Sequence, residues 1–350
     1  MIKKIEQLID KLCDSGSLSL EEYKFLIENR SEESVELVRQ RAVALRKKYY
    51  GNSVYIRGLI EISNICKNNC LYCGIRRGNT QCQRYRLSEN EILACVDEGY
   101  SLGFRTIVMQ GGEDAYFTDD ILCRIVKEIK SRYPDCAVTL SMGERSRESY
   151  QRLYDAGADR YLLRHETADE GHYSMLHPKE LVWKERMECL HILKEIGFQT
   201  GCGFMVGSPY QTAEHLAKDL KFIEEFKPQM CGIGPFIPHK ATDFASFPSG
   251  DVELTCYLLS IVRLICPTVL LPATTALGSI DGNGREKGIL SGANVVMPNL
   301  SPMDSRKKYE LYNNKLSTHA ESAQALDLLR QRMNAIGYEV VCARGDAKEI

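Results

Sequence analysis

No charge of either sign dominates this sequence: 45 Lys and Arg stand against 47 Asp and Glu, a formal net charge of −2. No Lys/Arg-rich cluster with interleaved aromatics disturbs that balance, so electrostatics offers no case for a nucleic-acid partner. Long uncharged apolar runs are also missing. None reaches the roughly 20 residues of a membrane-spanning helix, and no membrane role is expected. The opening "MIKKIEQLIDKLCDSG" has acidic residues where an export signal needs an apolar stretch, which makes the cytoplasm the expected location. No segment rich in Gly, Ser or Pro separates one part of the chain from another. With 350 residues and a 44% hydrophobic fraction, the chain fits an ordinary globular protein with one large domain and terminal additions.

Cysteine, by contrast, is plentiful. There are 14, but they are spread along a long chain and not concentrated as in a short secreted scaffold. Cys95, Cys123, Cys189, Cys256 and Cys266 lie in helix-like apolar patterns, where core packing is expected.

Residues 1–50 read as helices. "IEQLIDKLCDSG" ends at Gly16, "SLEEYKFLIEN" opens with an acidic first turn, and "SEESVELVRQRAVALRKKYYG" runs from a Ser cap to Gly51. Short apolar or β-branched runs then recur eight times: "SVYIRGLIEIS", "TIVMQG", "AVTLSMG", "RYLLRHE", "TGCGFMVG", "MCGIGPFIP", "TVLLPATTA" and "ANVVMPN". Helix-length amphipathic segments such as "SENEILACVDEGYSLG" separate most neighbours. That alternation implies a parallel sheet, and eight units imply an α/β fold of the (βα)8 TIM-barrel type over residues 51–303. The segment 1–50 is expected to pack on the barrel. Residues 304–350 are expected to form a C-terminal extension with a helix and a short strand.

Period two along the first strand puts Tyr55, Arg57, Leu59, Glu61 and Ser63 on one face and Ile56, Ile60 and Ile62 on the other. The fourth run does the same with Arg160, Leu162, Arg164 and Glu166. Ordinary barrels fill their centre with branched apolar side chains, and Arg and Glu there would be costly without a polar ligand or water. An internal cavity follows as the expectation, with positive charge available for an anionic group.

"SNICKNNCLYCGIRR" carries Cys66, Cys70 and Cys73 on the loop after the first strand, at the barrel mouth where active sites form. A structural zinc needs four N/S ligands. Cys82 is too far along to complete a second close pair, and the first His in the chain is His165, so zinc requires a distant fourth ligand. A dithiol redox pair leaves the third cysteine unexplained. Three thiolates on a cubane iron–sulfur cluster leave one iron open to chelate a small molecule.

C-x3-C-x2-C with the aromatic Tyr72 before the last Cys, after the first strand of an α/β barrel, resembles the signature of the radical S-adenosylmethionine superfamily. "YIRGLIEISNICKNNCLYCGIRR", "RYRLSENEI", "TIVMQGGED", "DRYLLRHETAD", "CGIGPFIPH", "PATTALGS", "GANVVMPN" and "YELY" extend the resemblance from about Tyr49 to Lys315. They point to the biotin synthase branch and, within it, to the FeFe-hydrogenase maturation enzymes of HydE type. The resemblance implies one 4Fe–4S cluster held by Cys66, Cys70 and Cys73 and S-adenosyl-L-methionine on its open iron. One electron would cleave the cofactor to methionine and a 5′-deoxyadenosyl radical.

For cofactor binding the resemblance implies Tyr72, Gln110, Gly111, Ser141, Glu166 and Arg186. Gln110 and Gly111 end the second strand, where bare Gly backbone allows close approach; Asp114 in the same "QGGED" reads as structural. Thr139 and Ser141 share a strand face with turn-partner roles still open, and Glu144 follows them. Glu166 would take the ribose hydroxyls or amine, unless it only pairs with Arg164. Arg186 would grip the cofactor carboxylate. Around the substrate cavity the implied residues are Arg57, Thr139, Arg164, Thr274, Thr275, Met297, Tyr309 and Tyr312. Met297 reads equally as core, and Tyr309 and Tyr312 share a face if their segment is helical. No cysteine lies in "KLSTHAESAQAL", where some family members carry an auxiliary cluster, so a single cluster is expected. His177 replaces an expected Arg in "MLHP".

The implied substrate is a small iron species bearing carbon monoxide, cyanide and a cysteine, attacked at the cysteine-derived sulfur. Implied partners are other maturation proteins and an electron donor. A methylornithine synthase-like enzyme acting on an amino acid, and a non-catalytic iron–sulfur or zinc module, remain as alternatives.

Overall fold

Serine side chains set where two of the first three helices begin. In the computed structural model, which describes residues 2–316 and 322–349, these helices are α1 (Ile2–Ser15), α2 (Leu20–Glu28) and α3 (Glu32–Tyr50). Ser19 accepts from the Glu22 N–H while the Glu22 carboxylate accepts from the Ser19 N–H, and Ser31 and Ser34 make the same reciprocal cap.

The strands follow as β1 (Ser53–Ile56), β2 (Gly58–Ser63), β3 (Thr106–Gly111), β4 (Ala137–Ser141), β5 (Arg160–Leu162), β6 (Gln199–Cys202), β7 (Met205–Val206), β8 (Met230–Cys231), β9 (Gly234–Pro235), β10 (Val295–Val296) and β11 (Glu339–Val341). Between them run α4 (Glu89–Ser101), α5 (Asp119–Arg132), α6 (Arg147–Asp155), α7 (Glu170–Leu176), α8 (Trp183–Ile196), α9 (Ala213–Phe226), α10 (Val252–Ile265), α11 (Thr275–Ile280) and α12 (Gly284–Leu290). The short α13 (Met303–Arg306) and α14 (Leu326–Ala335) come after β10. β2, β3, β4, β5, β6 and β8 form one parallel sheet in that order. Single parallel bridges, Met230 to Leu270 and Pro272 to Val295, carry the pairing on, and β10 pairs with β1. The circuit thus passes through all eight runs and returns to the first. α3 packs on α10 and α2 on α9, so the leading helices lie against the outer layer.

Several runs are less regular than their composition suggests. The first breaks at Arg57. The seventh forms no strand beyond its bridges at Leu270 and Pro272, since proline has no N–H for a ladder. Thr274 and Thr275 therefore stand at the start of α11 and not on a strand.

The main core lies between the barrel's outer face and the helices. It contains Ile60, Ile62, Ile107, Met109, Val138, Leu140, Tyr161 and Leu163, with Cys95, Cys123, Cys189 and Cys256 buried in it and Cys266 packed at its edge. A smaller cluster of Tyr50, Met230, Leu270 and Val295, with Tyr55, Leu162 and Met297 against it, fills the lower interior.

Below that cluster the chain's own end closes the barrel. β11 pairs with β1, and the residues after it cross the starts of β3, β5 and β6. Thr106 Oγ1 donates to the Arg344 carbonyl at 2.8 Å, and Arg160 Nη2 donates to the same carbonyl at 3.0 Å and to Asp346 Oδ1 at 2.5 Å. Arg160 is fully buried, and its charge is satisfied at this closed end. This corrects the expectation that it lines a ligand cavity.

Burial would raise the Asp346 carboxyl, but hydrogen bonds from Arg344 and Gln199 and the Arg160 charge outweigh it and hold it below its ordinary 3.8. Its contribution to stability is full above about pH 4 and is lost as pH falls below that value. Asp346→Ala should destabilise the protein by about 1–3 kcal/mol at pH 7, less than a fully buried pair because the carboxylate is 38% exposed. Chemical denaturation at pH 7 and near pH 3 should show the deficit shrinking with acid.

Candidate active site

β2 ends at Ser63, and the loop that follows is pinned at both ends by buried polar groups. Asn64 Nδ2 donates to the Gln83 and Lys308 carbonyls at 2.8 and 2.7 Å. Arg84 donates to the carbonyls of Asn64, Ile75 and Arg76. Asp114 accepts from the Ser63 hydroxyl at 2.7 Å and from Arg86 at 2.6 Å, a structural part for that carboxylate.

Within this frame Cys66 Sγ accepts from the Glu113 N–H at 3.4 Å. Gly112 makes the approach possible: a Cβ there would fall 2.3 Å from the Ile65 carbonyl oxygen and 2.8 Å from Cys66 Cβ. Burial, then the neighbouring triad thiol, pushes Cys70 up strongly and Cys73 to about 12. Cys66 is raised as well, again by burial. Thiols in that state become ligands when a cationic centre displaces their protons.

Tyr72 packs beside the triad. Its hydroxyl meets His177 Nε2 at 3.2 Å, and His177 Nδ1 lies 2.9 Å from the Tyr173 carbonyl. Nδ1 must be the donor to that carbonyl, so Nε2 accepts from Tyr72. Burial lowers His177 to about 3, so the ring is neutral at ordinary pH. Burial alone would also lower Arg186, but Glu144, with Tyr173, Tyr72 and Glu113, raises it above its ordinary value. Arg186 and Glu144 form an ion pair at 2.6 Å.

From Tyr161 to Thr167 the inner face is part-exposed where the outer face is not. Leu162, Arg164 and Glu166 are part-exposed, alternating with buried Tyr161, Leu163 and His165. Gln110, Gly111, Ser141, Thr274, Thr275 and Met297 are part-exposed too. Several polar atoms there have no hydrogen-bond partner: Arg57 Nε and Nη2, Thr139 Oγ1, Arg164 Nε and Nη2, and Thr274 Oγ1. Arg57 Nη1 reaches only the Met230 sulfur, at 3.0 Å, and burial followed by the Arg160 charge lowers its guanidinium. Buried polar groups ordinarily find partners. Unpartnered donors and hydroxyls on this inner face suit a polar, anionic guest.

The expected site residues are distributed as follows. Gln110 and Ser141 are register partners on β3 and β4, and Gln110 Nε2 donates to Tyr309 Oη at 3.3 Å. Arg164 and Glu166 pair at 3.2 Å, and Glu166 stands at φ +64°. Tyr309 is buried, and burial pushes Tyr312 up to about 12, but their segment is not helical, so helical spacing does not explain their proximity. Met297 flanks the apolar floor. Part of the cysteine-free stretch, residues 317–321, lies outside the described residues. Sequence reasoning missed the partner of Glu61: Lys315 donates to its Oε1 at 2.6 Å and Asn299 to its Oε2 at 2.9 Å. The inner-face alternation marked Glu61, but nothing local marks a lysine 254 residues on.

Comparison with known proteins places this arrangement. Residues 60–223 match the family model of the radical SAM superfamily, and the chain is a radical SAM enzyme. Over 293 residues, 84% of this chain and 83% of the relative, the sequence is 44% identical to the [FeFe] hydrogenase maturase subunit HydE of Thermotoga maritima. The chain belongs to the HydE family of radical SAM enzymes. It is also 28% identical to 3-methylornithine synthase of Methanosarcina acetivorans, across 87% of each chain. In fold it resembles the methylornithine synthase PylB, with TM-score 0.82 and 23% identity over 95% of this chain and 97% of that one. The hydrogenase maturase HydG is similar in fold, with TM-score 0.80 and 21% identity over 97% and 76%. Membership of the superfamily implies a 4Fe–4S cluster and S-adenosylmethionine.

Gly112→Ala should cost about 1–3 kcal/mol through overpacking against backbone. It should also lower the iron-to-protein ratio after anaerobic reconstitution, as read by thermal melting and iron analysis.

Proposed function

We propose that this enzyme acts in the assembly of the FeFe-hydrogenase active site, as the 44% identical HydE relative does by name. The reading is carried by one observation: a radical SAM cysteine triad stands above a barrel interior where buried Arg57 and Thr139 and part-exposed Arg164 and Thr274 retain polar atoms without a hydrogen-bond partner. Cys66, Cys70 and Cys73 would hold a single 4Fe–4S cluster, and their setting fits it: a cramped glycine approach and three half-buried thiols on one loop. When bound, cluster and S-adenosylmethionine together supply a 5′-deoxyadenosyl radical, whose target in this reading is the sulfur of a cysteine-bound iron carbonyl cyanide species.

The chain's own residues bind and orient. Tyr72, Gln110, Gly111, Ser141, Glu166 and Arg186 surround the cofactor in this reading, and Arg186 is kept charged by Glu144 until a cofactor carboxylate competes for it. Arg57 and Arg164 attract the anionic substrate, with Thr139, Thr274, Thr275, Tyr309 and Tyr312 as hydroxyl partners and Met297 as apolar wall. A cytoplasmic setting, an electron donor and further maturation proteins complete the proposal. Acting on a free amino acid, like 3-methylornithine synthase, is the weaker reading because that relative is only 28% identical.

Cys70→Ala should abolish formation of 5′-deoxyadenosine from S-adenosylmethionine, measured anaerobically with dithionite. Cys342→Ala, a change at an exposed thiol, should leave iron at about four atoms per chain. A fall in iron would instead indicate a second cluster.

A further inference from the structure

Glu166 holds a backbone conformation, φ +64°, that residues bearing a Cβ seldom adopt. Its inward contact is a part-exposed pair with Arg164, too weak to fix the main chain. On the outer face, the chain on both sides of Glu166 converges on one carboxylate of α9. His165 Nε2 lies 3.2 Å from Asp219 Oδ1, and the Ala168 N–H donates to that same oxygen at 2.6 Å. His165 Nδ1 accepts from the Gly203 N–H at 3.2 Å, so the ring's proton sits on Nε2 and points at Asp219. Gly203 in turn accepts the Glu166 N–H at 3.0 Å. Gly203 itself is at φ +154°, and a Cβ there would fall 2.1 Å from the Gly232 carbonyl oxygen, so the next strand cannot yield.

Stability alone does not account for this pair. His165 and Asp219 are both 0% exposed, and Asp219 Oδ2 has no partner. Replacing buried polar pairs with apolar side chains is commonly neutral or stabilising, and an unsatisfied buried oxygen carries a cost. What the pair does provide is geometry: it ties residues 165 and 168 to one atom, on either side of a Glu166 whose own N–H and carbonyl are bonded to Gly203 and Met205. We propose that Asp219 and His165 are positioning residues that clamp the strained turn at Glu166, so that its carboxylate faces the barrel interior ready for the ribose hydroxyls or amino group of S-adenosylmethionine. The inference rests on the reading of Glu166 given above.

The test uses the full chain, reconstituted anaerobically. S-adenosylmethionine is titrated against the EPR signal of the reduced cluster, with iron content and melting temperature measured alongside. At full iron content, Asp219→Ala and His165→Asn should each weaken binding by roughly tenfold or more. The asparagine keeps an acceptor for the Gly203 N–H but cannot reach Asp219. Asp219→Asn retains the Oδ1 acceptor and should stay within about threefold of the parent. Asp219→Ala combined with Glu166→Gln should be no weaker than Glu166→Gln alone, because both act through one carboxylate. A purely structural pair would lower the melting temperature and leave affinity unchanged, and that result overturns the proposal, as does full additivity with Glu166→Gln. If Asp219→Ala fails to hold a cluster, His165→Asn decides. A parent signal that ignores S-adenosylmethionine would sink the functional reading itself. A parent that responds while Glu166→Gln binds normally would sink only the clamp.

Discussion

Burying charge inside a narrow barrel is the constraint from which the rest of this structure follows. A guanidinium or carboxylate removed from water is costly by several kcal/mol unless something pairs with it. This chain places Arg57, Glu61, Arg160, Arg164 and Glu166 on its inner strand faces. Each level of the barrel meets that cost differently. At the strand starts, Arg160 is closed off by Asp346 and the Arg344 carbonyl, contributed by the chain's own end. Midway, Glu61 takes Lys315 and Asn299. Arg57, lower on the same strand and against Met230, and Arg164, ion-paired to Glu166, each keep nitrogens without a hydrogen-bond partner.

Much of that pattern was legible in the residues, and the part that was not has a common cause. Period two separates Arg57, Leu59 and Glu61 from Ile60 and Ile62, and the structure divides them the same way because a pleated strand leaves no alternative. Partners were unreadable. Asp346 lies 186 residues from Arg160, Lys315 lies 254 from Glu61, and Asp219 lies 54 from His165. Local pattern reports which face a charge occupies and is silent on what the closed circuit brings opposite it. The seventh run shows another limit. "TVLLPATTA" has the composition of a strand, yet Pro272 cannot donate to a ladder, and Thr274 and Thr275 pass to α11. Tyr309 meets Gln110 on the inner face without a helix to place it.

Around the triad, neutral groups do the orienting and charged ones are kept in reserve. His177, where an arginine was expected, is neutral and uses both ring nitrogens to hold Tyr72 against the Tyr173 carbonyl. An arginine has no acceptor and could not receive the Tyr72 hydroxyl. Arg186 remains the nearby cation, and Glu144 keeps it charged despite its burial. His177 also stacks on Tyr173, with ring centroids 3.8 Å apart.

Rigidity and strain are divided between the two ends of the barrel. The strand starts carry the sealing tail and, apart from the break at Arg57, regular ladders. Irregularity collects toward the strand ends: the bulge between Glu61 and Ser63, the left-handed Glu166, and the glycine contact of Gly203 with Gly232. Such departures persist only where surrounding bonds over-determine them. Here the over-determination comes from outside the barrel, through Asp219 on α9 and Asp114 beyond β3, each accepting hydrogen bonds that a regular ladder would not need. Buried carboxylates on the outer side therefore shape the inner mouth without ever facing it. An apolar residue of the same volume at either place would fill the core as well and leave the mouth undefined.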